Sequence, residues 1–324
     1  MTLPQFLILP DLKKMCPWNI RMNPHYNTAG IEAAAWIDSF GIFRGRKRAQ
    51  FRAAASELLC SARTYAYAGY EEYRTTCDFL NLIFVVDETC DELDGPDAAR
   101  TCDVFLRAMK GELLEGSVFV DLTRQWKERF DRKNLPNAQR RFMKQFEDYL
   151  DGVLRETELR DEGRTLNVDQ CTLLRRKFSG TQTAFALFEY VHGIDLPNAV
   201  FKNQTFMDMY WAAIDMVDFA NDLYSGLDSK MQSTKSEITS EALSTASFRI
   251  NPNYPRSKPL LEATPEWMHD VEKYVCSMEQ WVIGSLAWSF ESPRYFGAER
   301  HEVARTLVVP IRKLVLGDVD GRTP

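Results

Sequence analysis

The chain has 324 residues, of which 45% are apolar and 27% charged, with a net charge of −6. That is enough for a large core, while an acidic balance with no basic stripe argues against nucleic acid, and the longest apolar run, residues 79–86 broken by Asn81, is far too short to cross a membrane. Residues 1–6 lack a basic region and carry an early proline, so no secretory signal is expected, and seven cysteines without CxxC spacing read as reduced thiols of the cytoplasm.

Pro4, Pro10, Pro17 and Pro24 make the opening loop-like, and helical signals begin near Ile31. Residues 32–40 carry Ala33, Ala34, Ala35, Trp36 and Phe40, and residues 51–70 place Leu58, Leu59 and Ala62 on one side. A helix is predicted over 78–90. Pro96 and Asp97 then read as the start of a helix over 98–110, followed by one over 118–132 that stops before Pro136. Residues 137–158 form a long amphipathic segment with Phe142, Phe146, Leu150 and Val153 in one stripe. Helices over 169–177, 183–191 and 206–224 complete a central set. Between the first two of these, Gly180 is either an ordinary glycine cap or a break that turns backbone groups inward. Residues 226–259 are polar and hydroxyl-rich, and read as a shortened, flexible segment. Helix resumes over 265–290 with Val271, Val275, Met278, Val282 and Leu286 inward, and a last amphipathic helix is expected over 299–316. No Asn-Gly hairpin signal separates alternating strands. The expectation is an all-α fold in one domain, 1–324.

Two stretches carry chemistry. Residues 79–86, almost all apolar, run straight into Asp87, Glu88, Asp91 and Glu92. On a helix Asp87 and Asp91 share a face, with Phe84, Ile83 and Leu80 below them. An acidic rim over an apolar wall suits magnesium, which takes few protein carboxylates and fills its remaining positions with water and substrate phosphate. The alternative is a plain helix C-terminus, with its acids at the unfavourable end of the dipole. Residues 214–225 also climb from apolar to polar, and Asn221 and Ser225 offer neutral oxygens on one face.

Together these stretches resemble the class I terpene synthases, above all the fungal sesquiterpene cyclases of basidiomycete type. Asp87 to Asp91 matches the family's aspartate-rich D-(D/E)-x-x-D. Asn221, Asp222 and Ser225 match N-D-x-x-S-x-x-x-E except at its last position, which is Ser229. Arg294-Tyr295 matches the family's C-terminal Arg-Tyr pair. Arg175, 46 residues before Asn221 (221 − 175), stands where the family has a diphosphate-sensing arginine, with Arg176 beside it. The likeness runs from Leu9 to Gly297.

The resemblance implies a class I helical bundle around a central apolar cavity, which ionises and cyclises farnesyl diphosphate to a sesquiterpene hydrocarbon or alcohol. It implies Mg2+, three ions with Mn2+ as a substitute, on Asp87, Asn221 and Ser225. Arg175 or Arg176, with Arg294 and Tyr295, would donate to the diphosphate. Phe84 is the first aromatic candidate for facing the cation; Trp288 and Phe185 are others, with core packing the commoner role for any one of them. The partner is a prenyl diphosphate, with no nucleic acid and no membrane, and the protein is a monomer or homodimer.

Three departures keep a non-catalytic relative in view. Ser229 replaces a metal-binding glutamate, and only Asp228 is placed to substitute. Residues 226–259 lack the family's His-Asn pair. Asp218 stands one turn before Asn221, where the family has an apolar or small residue, and a buried carboxylate must find a partner. A different rival, a di-iron bundle, would use Glu-x-x-His pairs. Glu189/His192 and Glu266/His269 have that spacing, but at helix ends.

Overall fold

The computed structural model describes residues 6–54, 56–112, 114–163, 166–225 and 267–310. Asp228, Ser229, Glu266 and the expected segment 226–259 lie outside the described residues. Numbered among the described residues, the helices are α1 (Leu12–Met15), α2 (Ala29–Ser39), α3 (Gly45–Ala54), α4 (Ser56–Thr64), α5 (Tyr70–Cys90), α6 (Gly95–Met109), α7 (Val118–Phe130), α8 (Pro136–Asp161), α9 (Val168–Phe178), α10 (Thr181–His192), α11 (Gln204–Ser225), α12 (Met268–Glu291), α13 (Pro293–Phe296) and α14 (Arg300–Thr306). None of the described helices is long and apolar enough to cross a membrane.

α10 is buried at every position from Thr181 to Val191 except Gln182, so it runs through the middle of the bundle. α8, α5, α11 and α12 pack around it. The stripe read on α8 is the buried one, and Phe142 meets Phe79, Trp126, Phe130 and Phe146. A ring in such a cluster contributes about 1.5–3 kcal/mol by burial, and Phe142→Ala would cost about 3–5 kcal/mol with the cavity it leaves. The inward set on α12, Val271 to Leu286, is likewise buried. The seven cysteines are free thiols.

Buried ion pairs set the helix registers. Asp78 on α5 lies between Arg74 (3.1 Å) and Arg129 on α7 (2.5 Å). Glu189 on α10 takes both donors of Arg141 on α8, at 2.9 and 2.6 Å. His192 stacks on Tyr67 with ring centroids 4.8 Å apart and its Nε2 lies 2.9 Å from the Ser277 hydroxyl. Glu189 and His192 therefore serve the packing of α10, and the di-iron pattern finds no support in their surroundings.

Four local expectations are corrected. The helix expected from 299 stops at Thr306, because Leu307 adopts φ +57 and the following valines enter a strand. That strand, Val308–Pro310, pairs antiparallel with Phe6–Ile8, so the opening is not all loop. α6 begins at Gly95 with Asp94 as its cap, accepting from the Asp97 N–H, one turn earlier than Pro96 and Asp97 suggested. The pattern over 51–70 is divided between α3 and α4, and the latter ends at Thr64.

Candidate active site

The ends of α5 and α11, the junction of α9 with α10, and the short α13 form one connected rim. Asp87 lies in the last turn of α5, half-buried. Burial pushes its carboxyl up to about 7, with the neighbouring charge of Asp91 adding to the rise and the Arg294 guanidinium opposing it. Arg294 stacks on the Phe84 ring, 4.8 Å from its centroid. Tyr295, beside it, accepts a hydrogen bond on its hydroxyl from Asn221 Nδ2 at 2.5 Å. Asn221 Oδ1 in turn accepts from Arg175 Nη2 at 2.8 Å, while Arg175 Nε reaches Asp222 at 2.9 and 3.1 Å. Ser225 is the last residue of α11, one turn beyond Asn221 on the same face.

Two neighbouring acids, Asp91 and Glu92, turn outward. Asp91 is the C-cap of α5, exposed, and pairs with Arg160 of α8 at 3.3 Å. Lys47 of α3 takes Glu92 at 2.7 Å and the Glu88 carbonyl at 3.0 Å. These two cations answer the unfavourable gathering of acids at a helix C-terminus and leave Asp87 as the carboxylate that faces Arg294.

The two adjacent arginines separate. Arg175 meets Asn221 and Asp222, whereas Arg176 forks onto Asp215 at 2.7 and 2.7 Å and covers the Trp211 ring at 4.9 Å. Asp215, Asp218 and Asp222 follow one another on α11 at spacings of three and four. That acidic face was the available signal for the two arginines' partners, and sequence reasoning missed it. Asp218 turns to α10, where the Thr181 hydroxyl donates to its Oδ1 at 2.8 Å.

Gly180 is a break with φ +73 between α9 and α10, and its bare Cα faces Ile83 and Tyr149. It is thus more than a simple cap: it brings the backbone against the wall below Asp87. Phe185 is fully buried among Phe188, Tyr210 and Trp281 and belongs to the core. Trp288 packs edge-on against Tyr295 at 5.6 Å, its indole N–H buried without a partner.

The donor set here is a carboxylate, an amide oxygen and a hydroxyl. All are hard oxygens, which fits a hard divalent cation. A buried carboxylate whose charge is disfavoured is also one that a cation would relieve.

Residues 78–227 match the family description "Terpene synthase family 2, C-terminal metal binding", which implies a divalent metal. The chain is 40% identical to the bifunctional terpene synthase Agr4 of Cyclocybe aegerita, covering 96% of this chain and 94% of that one. It is 38% identical to a Coprinopsis cinerea protein named linoleate 10R-lipoxygenase COP4, covering 94% and 92%. It is 30% identical to the sesquiterpene synthase Agr5 of Cyclocybe aegerita, covering 91% and 73%. Among solved structures, a variant of the reconstructed ancestral protein SVS_A2 superposes with a TM-score of 0.75 at 20% identity, covering 87% of this chain and 89% of that one. Germacradien-4-ol synthase from Streptomyces citricolor superposes with a TM-score of 0.71 at 18% identity, covering 84% and 96%. At these identities the structures speak for the fold alone.

Proposed function

The chain is a member of terpene synthase family 2, and on that premise we propose that it ionises farnesyl diphosphate and cyclises the allyl cation to a sesquiterpene hydrocarbon or alcohol. The supporting observation is the run of contacts from Phe84 through Arg294 and Tyr295 to Asn221 and Arg175, with Asp87 near enough to feel the Arg294 charge. Hard oxygens and cationic donors thereby gather at one end of an apolar wall.

Asp87, Asn221 and Ser225 are the residues that would hold the metal, proposed as Mg2+, three ions, with Mn2+ as a substitute. Once bound, the metal supplies positive charge that neutralises the departing diphosphate. Arg294 and Arg175 present forked, charge-assisted donors to phosphate oxygens, and the Tyr295 hydroxyl adds a neutral one. These donors are strongest where charge develops as the C–O bond breaks. Arg176 is already committed to Asp215, so Arg175 is the better candidate for the diphosphate. Phe84 lies under Arg294. When Arg294 turns to phosphate, that ring face is released towards the apolar side, where it can stabilise an allyl cation by about 0.5–2 kcal/mol. Water is kept from the cation by the apolar wall of Leu80, Ile83 and Phe84. In this reading residues 1–324 act as one catalytic domain, as a monomer or homodimer.

The test is incubation of the purified protein with geranyl, farnesyl and geranylgeranyl diphosphates plus magnesium, followed by analysis of volatiles. A C15 product from farnesyl diphosphate is expected. The name of the Coprinopsis relative makes linoleate with oxygen the control substrate. Oxygenated linoleate with no terpene, or no product from any substrate, would overturn the proposal.

A further inference from the structure

Asp218 is a buried ionisable group that the reaction described above leaves without a task. It stands on α11 one turn before Asn221, is 2% exposed, and lies behind the break between α9 and α10. Its Oδ1 accepts from the Thr181 hydroxyl at 2.8 Å. Its Oδ2 is buried and has no hydrogen-bond partner, although the Ser179 hydroxyl is near enough to favour the carboxylate. An unfilled acceptor of this kind is unfavourable in a folded interior. A buried carboxylate there persists most readily if another state of the protein fills it.

Arg175 is the candidate to fill it. Burial pushes Asp218 up to about 7, and the charge of Arg175 is the first influence opposing that rise. Arg175 is turned the other way, onto Asn221 Oδ1 and Asp222. Asn221 Oδ1 is the very atom a divalent cation would need. A guanidinium and a divalent cation on one amide oxygen would repel each other, so Arg175 would give up Asn221 to a bound cation. Its planar fork carries five N–H donors, enough to meet a phosphate along one edge and a carboxylate along another.

We propose that Asp218 is a positioning residue whose open oxygen is the second seat of Arg175, taken up when a cation and a diphosphate claim Asn221. Thr181 holds that seat in place, and ties it to the turn at Gly180 that packs on Ile83 and Tyr149. The inference rests on the prenyl diphosphate reading above.

The test compares full-length wild type with Asp218→Asn and Thr181→Val. Asparagine keeps the shape and the acceptor for Thr181 and removes the charge. Valine removes only the hydroxyl. Each protein is melted, titrated calorimetrically with inorganic diphosphate in the presence of magnesium, and assayed for kcat and KM on farnesyl diphosphate. Without a charged second seat, Arg175 stays on Asn221 and competes with the incoming ions. Asp218→Asn should therefore bind inorganic diphosphate about tenfold more weakly, a loss typical of one charge-assisted bond. Its KM should rise in parallel, and it should melt at or above the wild-type temperature, because a poorly paired buried charge is gone. Thr181→Val should show a smaller loss of affinity. Unchanged diphosphate affinity in Asp218→Asn overturns the proposal, whether or not the variant melts earlier, since a merely structural role would move the melting temperature alone. If wild type turns over no prenyl diphosphate and yet loses diphosphate affinity on Asp218→Asn, the substrate reading fails and the second seat stands.

Discussion

Gly180→Ala perturbs the site from behind, and its size can be worked out. Gly180 has φ +73, a left-handed conformation that costs a residue with a Cβ about 1–2 kcal/mol. The added methyl would also stand 3.2 Å from Ile83 Cγ2 and 3.7 Å from the Tyr149 ring. The first approach is tighter than ordinary contact, and Ile83 lies one turn before Asp87 on α5. Relieving the contact pushes the wall on which the rim rests. Gly193 supplies the control. It has φ +64, and a Cβ there would meet nothing within 4 Å. Gly193→Ala therefore carries the backbone cost alone. Gly193→Ala should lose about 1–2 kcal/mol, or about 1.5–3 °C in Tm, and Gly180→Ala at least as much, but only Gly180→Ala should also lose turnover or change its product profile. Urea and thermal melts measure the first quantity, and kcat with product analysis on farnesyl diphosphate measures the second. Equal turnover in the two variants would refute the argument that Gly180 shapes the reacting end.

The other expectations concern charge. Arg294→Lys loses the fork and the stacking on Phe84, and kcat/KM should fall about 10²-fold. Arg305→Ala, which removes only an exposed pair with Glu302, should be neutral in the same assay. Arg175→Ala should lose diphosphate affinity by calorimetry, with some Tm through its Asp222 and Asn221 bonds, whereas Arg176→Ala should lose Tm through its Asp215 fork and keep diphosphate affinity. Burial pushes His192 down to about 4, with the Lys273 charge also disfavouring the imidazolium. The unfolded chain therefore takes up the proton first, so this group's contribution is intact above about pH 6.5 and is lost as pH falls from there towards 4. Urea midpoints across that window should fall less steeply for His192→Phe than for wild type.

Most of the helical frame is legible in the sequence, because its periodicity is local. Phe142, Phe146, Leu150 and Val153 mark α8 to within one residue of its observed start and three of its end. The apolar run ending at Asp87 marks the last turns of α5 for the same reason. What depends on contacts between distant segments is not legible. Asp87 and Asp91 look equivalent on a helical projection, but the helix ends at Asp91 and Arg160 draws that carboxylate outward. Arg175 and Arg176 differ by one residue, about 100° around the helix, and the carboxylate each one meets is decided by the placement of α11. Asp218 could be recognised as needing a partner, but Thr181 is a partner only because α10 starts beside it. The strand pair joining Phe6–Ile8 to Val308–Pro310 links opposite ends of the chain and leaves no local period to read.

In the proposed function the rim of Asp87, Asn221, Arg175 and Arg294 cleaves a prenyl diphosphate. The most direct measurement is the release of inorganic diphosphate from farnesyl diphosphate, counted against terpene formed, with magnesium and then with a chelator. One diphosphate should be released per C15 hydrocarbon or alcohol, and release should be abolished by the chelator and by Asp87→Asn while the variant keeps its fold. Diphosphate release that survives Asp87→Asn at saturating magnesium, or no release from wild type, would contradict it.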